Sequence, residues 1–324
     1  MEARYSIPSR YETERPKVFM NEGGERCFGY DSLWFKLKHG QVTNMKDALW
    51  LGGTDPKYIV DVKDADGSNM KTIWKPQLPV GKGFHAMAQN EIIVFHVDCI
   101  LNLRRTPPAS LFFLETEEFQ KEMTPSTDTL LTARGADWNT WNSKGLIHGV
   151  AQVMWGKVRN INVFGQSILK FGRTISNYLG IPKEYFLYIL GANTVSIREL
   201  STRDLLDYVT GNWDRHHNEF VIPSKKGGTE LIYLDHNHLK RNRKAPFKLQ
   251  YCKFWKNDIK TLKKIQRDGL QDLLLKSLRK YEPGFRMFEK QDRVFRHLDI
   301  RVDEFLEHVK QCESKYGLKY VYDE

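Results

Sequence analysis

The chain has 324 residues, enough for one large domain or two lobes sharing an interface. With 40% hydrophobic and 12% aromatic residues it can bury a real core, which excludes a disordered chain. Its 50 basic and 40 acidic residues give a net charge of +10, favouring an anionic partner: a nucleotide, a polyanionic glycan, an acidic protein or a nucleic acid. The charge reads as spread along the chain apart from one run, His238 to Lys244. No interleaved aromatic and basic motif of the recognised nucleic-acid modules is present, and no apolar stretch approaches the length of a membrane span. Residues Met1 to Tyr5 lack the apolar core of a secretory signal, leaving the cytosol open. Four cysteines, Cys27, Cys99, Cys252 and Cys312, are too few and too far apart for a disulfide framework or a CxxC zinc site.

Residues 1–45 are polar and irregular and predict an extended arm packed on a domain formed elsewhere. Tyr58 to Lys63 alternate as a strand does, Asp66-Gly67 is a hairpin-type turn, and Lys71 to Lys75 form a returning strand. Pro76 ends it, since proline cannot donate to a ladder. Met87, Ile92, Phe95, Ile100 and Leu103 recur at helical spacing over about 85–103, with Glu91 in the second turn. On residue statistics alone, Glu91 is as well explained by a solvated helix face. Pro107-Pro108 stops the helix, and Ser110 to Leu114 form another strand. The region 120–170, with Trp138, Trp141 and Trp155, yields no assignment beyond core or groove packing. Ile197 to Val209 reads as helix, with Ser201 to Asp204 as a cap for its second half. Helices over about 257–278, interrupted at Asp268-Gly269, and about 291–315, closed by Gly317, complete the chain.

Two stretches carry the chemistry. Asp214 lies in the polar cluster Gly211-Asn212-Trp213-Asp214-Arg215-His216-His217-Asn218-Glu219, after an apolar helical run. Asp235 caps the apolar run Leu231 to Leu234. One carboxylate on a loop and one at a strand end suit phosphoryl transfer, where one receives a proton and the other holds a divalent cation on phosphate oxygens. Both also fit turn residues.

Four blocks in order are similar to the secretory-pathway kinases, the group of the Golgi casein kinase and the glycosaminoglycan xylosylkinase, with four-jointed a more distant relative. They are Asp66-Gly67 with Trp74-Lys75-Pro76, Gln89 to Leu101 with Arg104 to Pro108, Leu206 to His217 (the closest match), and Leu231 to Asp235. Val309 to Cys312 also resembles the family's last helix. The resemblance covers about two thirds of the chain. It implies an α+β, bilobal, protein-kinase-like fold: a strand-rich N-lobe with an αC-like helix over 46–118, and a mostly helical C-lobe over 119–324. It implies ATP and Mn2+ or Mg2+ as cofactors, and transfer of the γ-phosphate to a hydroxyl of a secretory protein or a xylose-type glycan. A homodimer, or a heterodimer with a related kinase, and a place in the Golgi lumen or outside the cell follow from the same likeness. Carried over by position, Lys75 contacts the nucleotide phosphates, and Glu91 holds that lysine or the metal. Asp214 is the catalytic carboxylate, Asp235 binds the cation, and Glu219 stands where other kinases place a metal-binding asparagine. Arg215, His216 and His217 support the loop.

The chain departs from the family's pattern in several places. His236-Asn237-His238 replaces the usual Asn-Gly or Asn-Ala after the metal aspartate, and a cysteine-rich insertion is missing. Gly52-Gly53, before the first expected strand, is the sole candidate phosphate loop. The family pattern leaves a Cys252–Cys312 disulfide, with Cys27 and Cys99 expected as thiols. Two other functions stay open: a pseudokinase that binds nucleotide and activates a partner, and a metallohydrolase using His216, His217, His236, His238 and the two aspartates.

Overall fold

A computed structural model of the chain describes residues 27–28, 32–48, 56–64, 67–77, 87–133, 136, 138–154, 159–160, 197–213, 220–223, 229–234, 236, 239, 246–249, 251–282, 288 and 292–322. Helix α1 (Leu33–His39) is capped by Ser32, whose side chain accepts from the Phe35 amide, and strand β1 (Gln41–Asp47) follows. Part of the expected irregular arm is therefore helix and strand. Its aromatic anchors, Trp34 and Phe28, are buried and packed edge to face at 5.0 Å.

β2 (Tyr58–Lys63) and β3 (Asn69–Pro76) form the hairpin that the alternation and Asp66-Gly67 predict. Gly67, at φ 83°, supplies the left-handed residue of the turn. After β3 come α2 (Met87–Ile100) and β4 (Ala109–Glu115). Then α3 (Thr116–Lys121), α4 (Pro125–Ala133) and α5 (Trp138–Lys144) lead to β5 (Leu146–Val153). The five strands make one antiparallel sheet in the order β1-β2-β3-β5-β4. The strand-rich lobe thus runs on to Val153, past the boundary expected at 118, because β5 pairs with both β3 and β4 across the intervening helices. Trp138 has a plain role there: its ring meets Phe119 at 6.0 Å, and Phe119 meets Tyr58 and Trp74 at 4.8 and 5.5 Å under the sheet.

The rest is mostly helical. β6 (Arg159–Asn160), β7 (Phe220–Pro223) and β8 (Thr229–Ile232) form a small antiparallel sheet, and α6 (Ile197–Thr210) precedes β7 in the chain. Ser201 to Asp204 lie inside α6 instead of capping it. Arg203 pairs with Asp204 at 2.7 Å, and Thr202 donates to Asp258 at 3.0 Å. α7 (Lys256–Asp268) and α8 (Leu270–Tyr281) break at Gly269, φ 78°, as expected. Leu270, Leu274 and Leu278 recur at every fourth residue and are fully buried, each contributing about 1.5–3 kcal/mol. α9 (Asp292–Phe295) leads to α10 (Leu298–Tyr322), which buries Leu298, Val302, Phe305 and Val309. Gly317, at φ 79°, interrupts α10 but does not end it, and helix continues to Tyr322.

Two disulfides staple this framework. Cys252 and Cys312 are bonded, with Cα atoms 5.3 Å apart. Cys27 and Cys99, expected as thiols, are bonded as well, with Cα atoms 6.2 Å apart. Their separation of 72 residues hid the pairing, because nothing in the sequence folds residue 27 back onto the end of α2. Among the described residues no helix is long and apolar enough to cross a membrane.

Candidate active site

The pleat of β3 decides where Lys75 goes. Thr72 and Trp74 face the core under the sheet, so Lys75 faces the opposite side, where α2 lies. From Ala88 to Cys99 every residue of α2 is buried, the polar ones included. The solvated-face reading of Glu91 is therefore wrong: the residue is 1% exposed. Lys75 Nζ and Glu91 Oε1 are 2.8 Å apart. The same Oε1 accepts from the main-chain nitrogen of His236 at 3.2 Å, and Oε2 accepts from the Gln152 amide on β5 at 3.4 Å. One carboxylate thus joins β3, β5, α2 and the segment after β8. A buried charge persists only when paired and hydrogen-bonded, and Glu91 has both a cation and neutral donors.

The ends of α2 and α6 are built alike. At α6 the Gly211 amide donates to the Tyr208 carbonyl at 3.2 Å and the Asn212 amide to the Asp207 carbonyl at 2.8 Å, with Gly211 at φ 80°. This is a Schellman turn. The Asn212 side chain also donates to Asp207 at 3.1 Å. A Cβ on Gly211 would lie 2.7 Å from Cζ of the buried Arg301 guanidinium, which comes from α10. At α2, Asn102 at φ 58° takes the glycine position, and the Asp98 carboxylate accepts from the Arg105 amide at 3.1 and 3.2 Å. Burial pushes the Asp98 carboxyl up to about 6, against the opposing pull of these bonds and of Arg104 and Arg105. The Arg105 carbonyl in turn accepts from the Tyr233 amide at 3.0 Å, so the turn after α2 is fastened to the residue after β8.

Two further features involve the described residues that flank the aspartate stretches. β7 and β8 are antiparallel with Phe220 opposite Ile232. The chain entering β7 and the chain leaving β8 therefore share one end of the hairpin. Asn212 also bridges Leu239. Asp214, Arg215, His216, His217 and Glu219 lie outside the described residues, as do Asp235, Asn237 and His238. Gly52-Gly53 lies outside them too. In sequence it falls between β1 and β2, not before the first strand. His236 is fully buried and its Nε2 lies 3.0 Å from the Tyr233 carbonyl. That bond gives its ring a part in holding the turn after β8.

A second buried carboxylate lies farther along α2. Glu282, just past α8, accepts from the Ser110 hydroxyl and the Leu111 amide, both at 3.2 Å, and from the Trp34 indole at 3.4 Å. His96 Nε2 is 3.2 Å from Glu282, and its Nδ1 is 2.8 Å from the Ser277 hydroxyl. Both lobes therefore grip α2.

No protein-family model and no curated protein matches the chain. By shape it is similar to hydra Fam20, solved with a sugar: TM-score 0.63, 15% identity, 94% of each chain covered. It is also similar to the Golgi casein kinase, at TM-score 0.62 and 16% identity, over 97% of this chain and 85% of that one. The chain has the fold of hydra Fam20 and the Golgi casein kinase. In this Fam20-type fold the five-stranded sheet and α2 form the small lobe and α6 to α10 the helical lobe, the bilobal α+β architecture expected from the sequence.

Sequence reasoning missed Gln152, the His236 amide, Arg301 and the His96–Glu282 pair. Only Gln152 had a signal. Leu146 to Val153 is an apolar, β-branched run that reads as a buried strand, and it went unassigned among the tryptophans of 120–170.

Proposed function

We propose that the chain is an ATP-dependent phosphotransferase that moves the γ-phosphate to a hydroxyl of a secretory protein or glycan. The observation that carries this reading is the Lys75–Glu91 pair at 2.8 Å, with its carboxylate oxygen shared with the amide that follows Asp235 in sequence. Phosphoryl transfer needs positioned cations more than covalent chemistry. Lys75 keeps 15% of its side chain exposed while Glu91 is buried, so the amine is held at the edge of the lobe where it can meet phosphate oxygens. Asp235 and Glu219 offer the hard oxygen donors that Mg2+ or Mn2+ takes. The cation would neutralise charge on the phosphate oxygens. Asp214 accepts the proton of the acceptor hydroxyl, and the Schellman turn at Gly211 with the Asn212–Asp207 bond fixes the start of its loop. Arg215, His216 and His217 hold the rest of that loop. The likeness to two secretory kinases supports a luminal or extracellular setting, and the two disulfides agree with an oxidising compartment.

The test is transfer from labelled ATP with Mn2+ to a casein-like protein and to a xylose-containing glycan. The wild-type chain labels one of them, and Asp214→Ala and Asp235→Ala abolish labelling while still folding. Undiminished labelling by the Asp214→Ala protein overturns the role given to that residue. Nucleotide-dependent thermal stabilisation with no labelling of either acceptor replaces the enzyme by a pseudokinase.

A further inference from the structure

The net charge is not spread along the chain as the sequence first suggests. Between His236 and Arg267 lie eleven lysines and arginines and one acidic residue, Asp258. That segment alone carries +10, the net charge of the whole protein, and the remaining 292 residues balance at 39 of each sign. Part of the segment is α7, where the structure shows what the charges do. Ile259, Leu262 and Ile265 turn inward to the helical core. Lys256, Lys260, Lys263, Lys264 and Arg267 are all exposed. At 100° per residue these five fall within an arc of roughly 100°, and at 1.5 Å per residue they span roughly 16 Å. Among the described residues none of the five enters an ion pair. Asp258, the acidic residue of the segment, receives the Thr202 hydroxyl at 3.0 Å.

We infer that the exposed face of α7 is a binding site for a linear, densely charged polyanion, specifically a sulfated glycan chain. This goes beyond phosphoryl transfer and does not depend on it. A straight row of five like charges fits a ligand whose charge also repeats along a line. A membrane surface fits less well, because the apolar face of α7 is spent in the core and interfacial helices present theirs to lipid. Nucleic acid would call for aromatic platforms between the basic residues. Acidic peptides carry carboxylates, which arginine forks recognise best, whereas four of these five residues are lysine.

The experiment measures binding of the full chain to heparin across a salt series, for wild type and for K260Q/K263Q/K264Q. A control, K121Q/K144Q/K319Q, removes the same charge from exposed lysines elsewhere. Wild type should bind at about 0.15 M salt with a steep salt dependence, as counterion release from a polyanion requires. The α7 variant should bind at least about tenfold more weakly, with the log–log salt slope reduced by roughly 2. The control should match wild type, and all three proteins should share one melting temperature. Equal weakening by the control overturns the site and leaves only net charge. Binding to polyglutamate, to phosphatidylserine vesicles or to fully desulfated heparin as tight as to heparin overturns the sulfated glycan as occupant. No heparin binding at that salt concentration overturns both.

Discussion

Replacing Glu91 tests the centre of the structure, because stability and activity should respond differently to two substitutions. Glu91→Ala removes the partner of a lysine only 15% exposed, for about 1–2 kcal/mol after allowing for some solvent screening. It also strands the His236 amide, bonded at 3.2 Å, for about 1–2 kcal/mol more. The longer Gln152 contact, 3.4 Å, adds under about 0.5 kcal/mol. The sum is about 3 kcal/mol. Glu91→Gln keeps an oxygen for the His236 amide and loses only the ion pair, so it costs about 1–2 kcal/mol. Both variants take the Glu91 carboxylate away from the Lys75 amine, and both should lower phosphate transfer at least about a hundredfold, an apparent loss of roughly 3 kcal/mol in transition-state stabilisation. Denaturant unfolding of each variant, beside transfer rates with labelled ATP on the same preparations, reads the two effects separately. A Glu91→Gln protein that transfers phosphate at near the wild-type rate refutes the positioning of Lys75. Equal stability of Glu91→Ala and wild type refutes the buried hub itself.

Two further outcomes are expected. Gly211→Ala should cost about 2–3 kcal/mol in denaturant unfolding, since φ 80° strains any L side chain and the new Cβ meets the Arg301 guanidinium; a neutral effect removes the argument that this turn sets the loop. Asp98 should make stability fall with rising pH. Its carboxyl holds a proton up to about pH 6 when folded but only to about 4 when unfolded. Its contribution is therefore full below about pH 4 and is lost as pH rises towards 6, on the order of 3 kcal/mol. Stability measured from pH 4 to 7 should show that slope in wild type and a flatter one in Asp98→Asn; identical slopes refute the assignment.

What the sequence revealed follows from the range of the forces involved. The β2–β3 hairpin and the α7–α8 pair were legible because alternation, a turn glycine and a three-to-four spacing are local. Lys75 and Glu91 were legible as a resemblance, with the carboxylate holding either the lysine or the metal, but the burial of Glu91 was not, since Gln89-Asn90-Glu91 looks like any solvated helix face. Its partners come from β3, β5 and the segment after β8, up to 145 residues away in sequence. Cys27–Cys99 and Glu282–His96 failed for the same reason, being contacts across 72 and 186 residues. The first strand was missed because β1 is mostly exposed and has little apolar alternation to show. The carry-over from the family was useful where local motifs repeat, and misleading for Cys27 and Cys99.

Helix α2 is held at its start by Lys75, at its middle by Ser277 and Glu282 from the other lobe, and at its end by Cys99 bonded to Cys27. An enzyme switched by swinging this helix outward would have to break an ion pair, a buried histidine–carboxylate contact and a covalent bond. A reductant frees one of the three. The helix therefore has a fixed seat, set when the chain folds and its cysteines pair.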